Sequence, residues 1–226
     1  MYFIVDDKVK LIIGWSAKCG CTHIKRIIRY MQTNKEQLEI YQHSSADRNN
    51  LPTNYTEYTW IIIVRNPYER VVSGFLDCYV KRKWKWIDQP LTFSNFVNEL
   101  EKSNNKIDKH HFECQMLNSP TNISSIKNMH ICDLKKIDYS IIENIYNKKI
   151  PDSYINFYGS HAISTAHCTK IMTQVSYDIV FDETTKHSLK TPPRLFYNEK
   201  LKQQIKKIYK LDFDFFESIE HLNYSI

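Results

Sequence analysis

Apolar runs alternate with helical patterns in the first third of the chain. Largely apolar runs at 10–15 and 60–65 each predict a buried strand. After the first run, apolar residues recur at the i, i+3, i+4, i+7 spacing and predict an amphipathic helix over 21–33. A second helix is predicted over 67–84. Two successive strand–loop–helix units indicate an α/β fold with a mainly parallel sheet.

The same patterns predict fewer elements in the rest of the chain. Residues 34–59 and 103–125 are polar and read as irregular. The other predicted elements are strands at 2–5 and 129–132, helices at 91–100, 139–146 and 197–210, and a strand or extended segment at 177–181.

Composition indicates one globular domain over residues 1–226. The chain is 42% hydrophobic and 25% charged. No apolar run is long enough to cross a membrane, and the first residues do not resemble a signal peptide. We therefore expect a soluble or cytoplasmic protein, with the Golgi lumen as the alternative if a longer protein was trimmed. The six cysteines lack a metal or redox spacing and are predicted to be reduced.

The loop after the first long strand has the composition of an anion cradle. Residues 16–22 read S-A-K-C-G-C-T, and small side chains let backbone N–H groups face a phosphate. Lys18 adds a full positive charge. The spacing differs from the Walker loop of nucleotide phosphatases and kinases, in which the lysine directly precedes Ser or Thr. A solvated lysine in an ordinary connection is the alternative interpretation.

A second motif, I-V-R-N-P-Y-E-R-V-V-S-G-F, follows from Ile63 to Phe75. Arg65 stands at the carboxyl end of the second long strand, where ligands bind in open α/β sheets. We therefore expect Arg65 to share a crevice with the first loop. Ser73 follows on the next helix and can face the same anion.

Together, K-C-G-C-T (Lys18–Thr22) and the second motif resemble the carbohydrate sulfotransferases that use 3′-phosphoadenosine-5′-phosphosulfate (PAPS), heparan sulfate 2-O-sulfotransferases among them. The resemblance implies a P-loop-type three-layer α/β fold whose central, mainly parallel sheet is flanked by helices. It assigns the 5′-phosphosulfate to the first loop and the 3′-phosphate to Arg65 and Ser73. The residues carried over to the first loop are Lys18, Cys19, Gly20, Cys21 and Thr22.

The C-terminal third resembles the closing segment of the same family. The stretch T-T-K-H-S-L-K-T-P-P is basic and rich in hydroxyl groups, and a helix and the sequence Y-K-L-D-F follow it. The resemblance implies further contacts to the phosphates of the donor. The candidates are Lys186, His187, Ser188 and Lys190.

Sulfuryl transfer needs charge stabilisation on the leaving oxygen and a base for the acceptor hydroxyl. Lys18 is the candidate for the first role. For the base we rank His43 first, because a histidine precedes the arginine strand in heparan sulfate 2-O-sulfotransferases. His111 is second, since H-H-F-E-C-Q resembles a His-Trp-x-Pro-Gln stretch of other members, and His110 and Glu113 remain open.

The sequence thus predicts an enzyme that moves a sulfuryl group from PAPS to a carbohydrate hydroxyl, releases PAP and needs no metal. The net charge of +6 and the segment K-R-K-W-K-W at 81–86 suit an anionic glycan acceptor better than nucleic acid. A kinase-like phosphotransferase and a non-catalytic polyanion or nucleic-acid binder are the alternatives. The acceptor sugar and the oligomeric state do not follow from the sequence.

Overall fold

The computed structural model describes residues 1–35, 51–86, 89–103, 107–117, 119, 123–156, 177–181, 192–219, 222 and 224–225. The chain folds into two compact units. Unit 1 is Met1–Arg65 with Gln115–Gly159, and unit 2 is Asn66–Cys114 with Ser160–Ile226. The organisation of residues 1–226 as a single domain stays a prediction.

The described part of the chain contains four strands and eight α-helices. In chain order they are β1 (Tyr2–Asp6), β2 (Leu11–Trp15), α1 (Cys21–Thr33), β3 (Thr59–Val64), α2 (Pro67–Phe75), α3 (Phe93–Lys102), α4 (Lys109–Phe112), β4 (Asn128–Asp133), α5 (Tyr139–Tyr146), α6 (Asp152–Ile155), α7 (Glu199–Ile208) and α8 (Lys210–Glu217).

All four described strands lie in unit 1 and form one sheet in the order β1-β2-β3-β4. β1 pairs antiparallel with β2, whereas β2, β3 and β4 are mutually parallel. The carboxyl ends of β2 and β3 therefore point to the same edge of the sheet. The predicted fold class, α/β with a mainly parallel central sheet and flanking helices, is confirmed.

The core of unit 1 is mainly aliphatic. Alternate residues of β2 and β3 face the apolar stripe of α1, as the period of two in a strand requires. Residues from α5 and α6 complete the cluster. Its buried members include Leu11, Ile13, Ile24, Ile27, Ile28, Met31, Ile61, Ile63, Ile142, Ile150 and Tyr154.

Unit 2 is helical in its described part, and aromatic side chains dominate its core. Phe75 in α2 lies between rings from other segments, with centroid distances of 5.3 Å to Phe93, 5.2 Å to Phe96 and 5.2 Å to Phe181. Edge-to-face and tilted contacts of this kind add to the free energy that burial alone supplies.

The predicted helix over 67–84 is shorter in the structure and changes type. α2 ends at Phe75, and a π-helical turn follows from Leu76 to Lys81. The backbone N–H of Arg82 donates to the carbonyl of Asp77 at 3.0 Å, which is the i to i+5 bond of a π turn. Lys83 then has a φ of 54°, which ends the helix.

Three further predictions need correction. Residues 103–125 contain the short helix α4, which Asp108 caps. The predicted helix 197–210 is α7 alone, and a separate helix, α8, follows it. Residues 177–181 form a turn followed by an irregular segment, not a strand. The backbone N–H of Phe181 donates to the carbonyl of Leu91.

Two predictions from composition can be compared with the described residues. Cys19, Cys21, Cys78, Cys114 and Cys132 are not joined by disulfides in the described part of the chain, and the reduced state of the cysteines stays a prediction. Among the helices that the structure describes, none is long and apolar enough to cross a membrane.

Candidate functional site

The loop between β2 and α1 is a tight turn with two left-handed residues. The N–H of Cys19 donates to the carbonyl of Ser16 at 3.1 Å and closes the turn. Lys18 has a φ of 68° and Gly20 a φ of 74°. Left-handed geometry at Lys18 is strained for a residue with a Cβ, and such strain concentrates at functional sites.

Gly20 occupies a position that other residues cannot take without rearrangement. Its φ is left-handed, and a Cβ placed there would collide with Cδ1 of Leu134. The backbone at Gly20 is therefore held close to neighbouring side chains in a conformation that glycine alone adopts cheaply. This geometry fits the close backbone approach that a phosphate cradle requires.

The N-terminus of α1 differs from those of other long helices in the described residues. No side chain caps it, and its first turn contains no acidic residue. The first backbone N–H groups and the positive end of the helix dipole are thus suited to an external anion. Side chains cap α2, α3, α5 and α7, namely those of Asn66, Thr92, Asp138 and Asn198, whereas α8 also lacks a side-chain cap but has Asp212 in its first turn.

Arg65 lies directly after β3, and its guanidinium reaches the loop between β2 and α1. Its Nη1 donates to the backbone carbonyl of Lys18 at 3.1 Å. The carboxyl ends of two neighbouring parallel strands thus bring the lysine loop and the arginine together, as the sequence predicts for Lys18 and Arg65.

Gln115 is a buried residue of this site that the sequence did not single out. Its side chain is hydrogen-bonded to Arg65 and to Cys19, and its backbone carbonyl accepts from the hydroxyl of Ser16 at 3.2 Å. The sequence signal for Gln115 is its place at the end of H-H-F-E-C-Q, the stretch that contains His111.

The other residues predicted to bind the sulfate donor fall into two groups. Cys21 and Thr22 lie in the first turn of α1 and are half-buried, as is Ser73 in the second turn of α2, within unit 2. The predicted residues Lys186, His187, Ser188 and Lys190 lie outside the described part of the chain, and so does His43.

His111 is paired with a carboxylate in unit 2. Its Nδ1 lies 2.5 Å from Oδ2 of Asp108. Burial by itself would raise the pKa of Asp108, but the hydrogen bonds and the charge of His111 outweigh this, and the net pKa lies below its usual value. Because an ionised carboxylate can only accept, Nδ1 of His111 donates and Nε2 is the nitrogen left to take a proton.

The two alternative bases have different surroundings. The ring of His110 lies edge-on to that of His111, with centroids 4.6 Å apart. Glu113 is buried, and its backbone carbonyl accepts a 2.7 Å hydrogen bond from Nη1 of Arg70, which is itself only 1% exposed.

His111 and two groups near it have the chemistry to hold a metal ion. The thiol of Cys78, a carboxylate oxygen of Asp108 and a ring nitrogen of His111 all lie within 4.8 Å of one another. A thiol, a carboxylate and an imidazole are ligands that zinc accepts. The carboxylate is already hydrogen-bonded at both oxygens, by the N–H of His110 and by His111. We therefore interpret the cluster as a hydrogen-bonded pair beside a buried thiol.

The comparison with known families decides the class of protein. The model of the sulfotransferase family matches residues 1–217. The chain belongs to the sulfotransferase family. No curated protein and no solved structure matches it. As a sulfotransferase, it transfers a sulfuryl group from a sulfate donor to an acceptor, which favours that reaction over phosphoryl transfer and over simple polyanion binding.

Proposed function

We propose that this sulfotransferase uses PAPS as its donor and transfers the sulfuryl group to a hydroxyl of a glycan. The observation that carries the donor assignment is the hydrogen bond from Arg65 to the carbonyl of Lys18, at 3.1 Å. PAPS carries anionic groups at both ends of its ribose, and one site that presents an ammonium and a guanidinium suits such a ligand.

In this proposal residues 16–22, here called the phosphate loop, hold the 5′-phosphosulfate. The uncapped N-terminus of α1 and the left-handed Gly20 suit a phosphate that binds backbone N–H groups, with Cys19, Cys21 and Thr22 in the same loop and first turn. Arg65 and Ser73 hold the 3′-phosphate, and Lys186, His187, Ser188 and Lys190 supply further contacts.

Lys18 has the central role in the transfer step. The acceptor oxygen forms a bond to sulfur while the bond between sulfur and the bridging oxygen breaks, and PAP leaves with the negative charge. Lys18 neutralises that charge as it develops, which lowers the barrier. Alignment and charge stabilisation are the main contributions of the protein to this kind of transfer.

A histidine takes the proton of the acceptor hydroxyl. We keep His43 as the first candidate and His111 as the second. Asp108 supports His111, because its carboxylate orients the ring and leaves Nε2 as the basic nitrogen.

The segment 81–86 supports an anionic glycan as the acceptor. Lys81, Lys83 and Lys85 are exposed, and Trp84 packs edge-on against the ring of His111 with a centroid distance of 5.2 Å. Exposed ammonium groups beside an aromatic ring can bind the charged groups and the apolar faces of a sugar.

A transfer assay with radiolabelled PAPS and a panel of anionic and neutral glycans tests the donor, the acceptor and the base together. We expect label on anionic glycans with the wild type, and loss of turnover with retained PAP binding for His43→Ala. The same result for His111→Ala instead would make His111 the base. His130→Ala, an exposed residue of β4, is the control.

Thermal unfolding with added ligands tests the donor independently of the acceptor. We expect PAP to raise the melting temperature, because a ligand that binds only the folded state stabilises it. Stabilisation by ATP with Mg²⁺ and none by PAP would contradict the proposal.

A further inference from the structure

The side chain of Gln115 is buried at the phosphate loop and hydrogen-bonded through both ends of its amide. It is 1% exposed. Its Oε1 accepts from the backbone N–H of Arg65 at 2.8 Å and from Sγ of Cys19 at 2.9 Å. Its Nε2 donates to the backbone carbonyl of Arg65 at 2.9 Å. The amide therefore bonds to both backbone polar groups of Arg65 and to the loop at once.

These bonds continue the sheet where its strands stop. The register of β2 with β3 ends at Gly14 and Ile62, and that of β3 with β4 ends at Val64 and Asp133. Arg65 is the next residue, one position beyond the last strand pair. The side-chain amide of Gln115 supplies a donor and an acceptor to its backbone, in the arrangement of a neighbouring strand.

The same amide connects Arg65 to the loop through Cys19. Cys19 is fully buried and precedes Gly20, the left-handed residue at the start of α1. The hydroxyl of Ser16 bonds to the backbone carbonyl of Gln115, so both ends of the turn are attached to one residue. Displacement of Gln115 would release the arginine and the loop together.

We propose that Gln115 is the positioning residue that holds the two anion-binding groups of this enzyme in register, the phosphate loop and Arg65. The inference rests on the proposed function, in which these groups bind opposite ends of one nucleotide. Gln115 touches neither phosphate in this scheme. It acts through the backbone of Arg65 and the thiol of Cys19.

Substitutions of Gln115 separate the effect of side-chain bulk from the effect of its hydrogen bonds. Leucine has similar bulk and neither donor nor acceptor. Glutamate at neutral pH can accept from Arg65 and Cys19 but cannot donate to the Arg65 carbonyl, and its charge faces that oxygen. A protonated carboxyl regains the donor. A Gln115→Glu variant should therefore recover its affinity for the 3′-phosphate as the pH falls, whereas general destabilisation would weaken the binding of all nucleotides alike.

The test measures the affinities for PAP and for AMP, which lacks the 3′-phosphate, by titration calorimetry. The wild type should prefer PAP, and Gln115→Leu should reduce this preference by about tenfold or more, the equivalent of about 1.4 kcal/mol. Gln115→Glu should lose it at pH 8 and regain part of it near pH 5, relative to the wild type at each pH. Gln204→Leu is the matched control, because that glutamine bridges Asn98 and Glu101 in unit 2.

Each outcome has a separate meaning. If the wild type does not prefer PAP over AMP, the proposed donor site is wrong, and the role of Gln115 falls with it. If the wild type prefers PAP and both Gln115 variants keep that preference at every pH, only the inference about Gln115 is overturned. Should Gln115→Leu fail to fold, the comparison of Gln115→Glu at two pH values still decides the matter.

Discussion

The two units of this chain hold their candidate functional groups by different means. In unit 1 the loop between β2 and α1 and Arg65 follow parallel strands, and hydrogen bonds from side chains to backbone groups fix their positions: the Arg65 guanidinium donates to the carbonyl of Lys18, and the N–H of Arg65 donates to the Gln115 side chain. In unit 2 the carboxylate of Asp108 is hydrogen-bonded to His111, and the ring of Trp84 packs against the His111 ring. The candidate donor site thus depends on backbone conformation, and the candidate base depends on side-chain packing.

The cores of the two units differ in the same way. Isoleucine and leucine from strands and from α1 fill unit 1, whereas rings contributed by distant segments, such as Phe75, Phe96 and Phe196, fill unit 2. An aliphatic strand-and-helix core follows from local periodicity. A cluster of rings from distant segments forms only when the chain has folded. Substitutions in the two units should therefore differ in their effects on turnover, on nucleotide affinity and on the free energy of unfolding.

The largest effect is expected for Lys18→Ala. Loss of the ammonium removes charge stabilisation that is strongest in the transition state, so turnover should fall by about 10²–10³-fold, with a smaller loss of PAP affinity. The measurement is kcat with radiolabelled PAPS, and Lys8→Ala, at an exposed lysine of the same unit, is the control. A near-normal rate would refute the role of Lys18.

Substitutions of Gly20 and Gly74 should distinguish an effect on nucleotide binding in unit 1 from an effect on the stability of the aromatic core in unit 2. Gly20→Ala forces a Cβ into a left-handed residue against Leu134, so PAP affinity should fall more than stability does. Gly74→Ala places a Cβ 2.5 Å from Cε1 of Phe112, so overpacking should cost about 1–3 kcal/mol of unfolding free energy.

Calorimetry with PAP and thermal unfolding measure the two effects of these substitutions. Equal losses of PAP affinity in Gly20→Ala and Gly74→Ala, or a larger loss of stability for Gly20→Ala, would contradict the contrast between the units.

The smallest effect concerns acid stability in unit 1. Asp6 accepts hydrogen bonds from the hydroxyl of Tyr146 at 2.7 Å and from Nε2 of Gln32 at 3.0 Å. Burial alone would raise the pKa of Asp6, but these bonds outweigh it, and its net pKa lies below 3.8. Its contribution to stability is therefore present at neutral pH and is lost as the pH falls from 3.8 through the lowered value.

Asp6→Asn should cost about 1–3 kcal/mol at pH 7 and should flatten the loss of stability below about pH 4. Urea unfolding at several pH values measures both, and Asp152→Asn, at an exposed position, is the control. An unchanged acid dependence would mean that Asp6 is not the group responsible.

Local patterns were sufficient to predict much of unit 1. The bounds of α1 and α5 agree with the prediction, and those of β1, β2, β3 and β4 differ from it by at most one residue at each end. A continuous apolar run that forms a buried strand and a helix with one apolar face are both encoded over a few neighbouring residues, so one sequence can reveal them. The approach of Arg65 to the loop also followed, because the carboxyl ends of parallel strands share one edge.

The sequence by itself therefore determined the parallel strands, the loop between β2 and α1 and the arginine that follows β3. The tertiary structure alone decided which groups hold them: Gln115 lies 50 positions from Arg65 and 96 from Cys19 along the chain. It likewise decided the contact between the rings of Trp84 and His111. Contacts between residues so far apart leave no periodic signal in the sequence, and they exist only because folding brings both partners to one place.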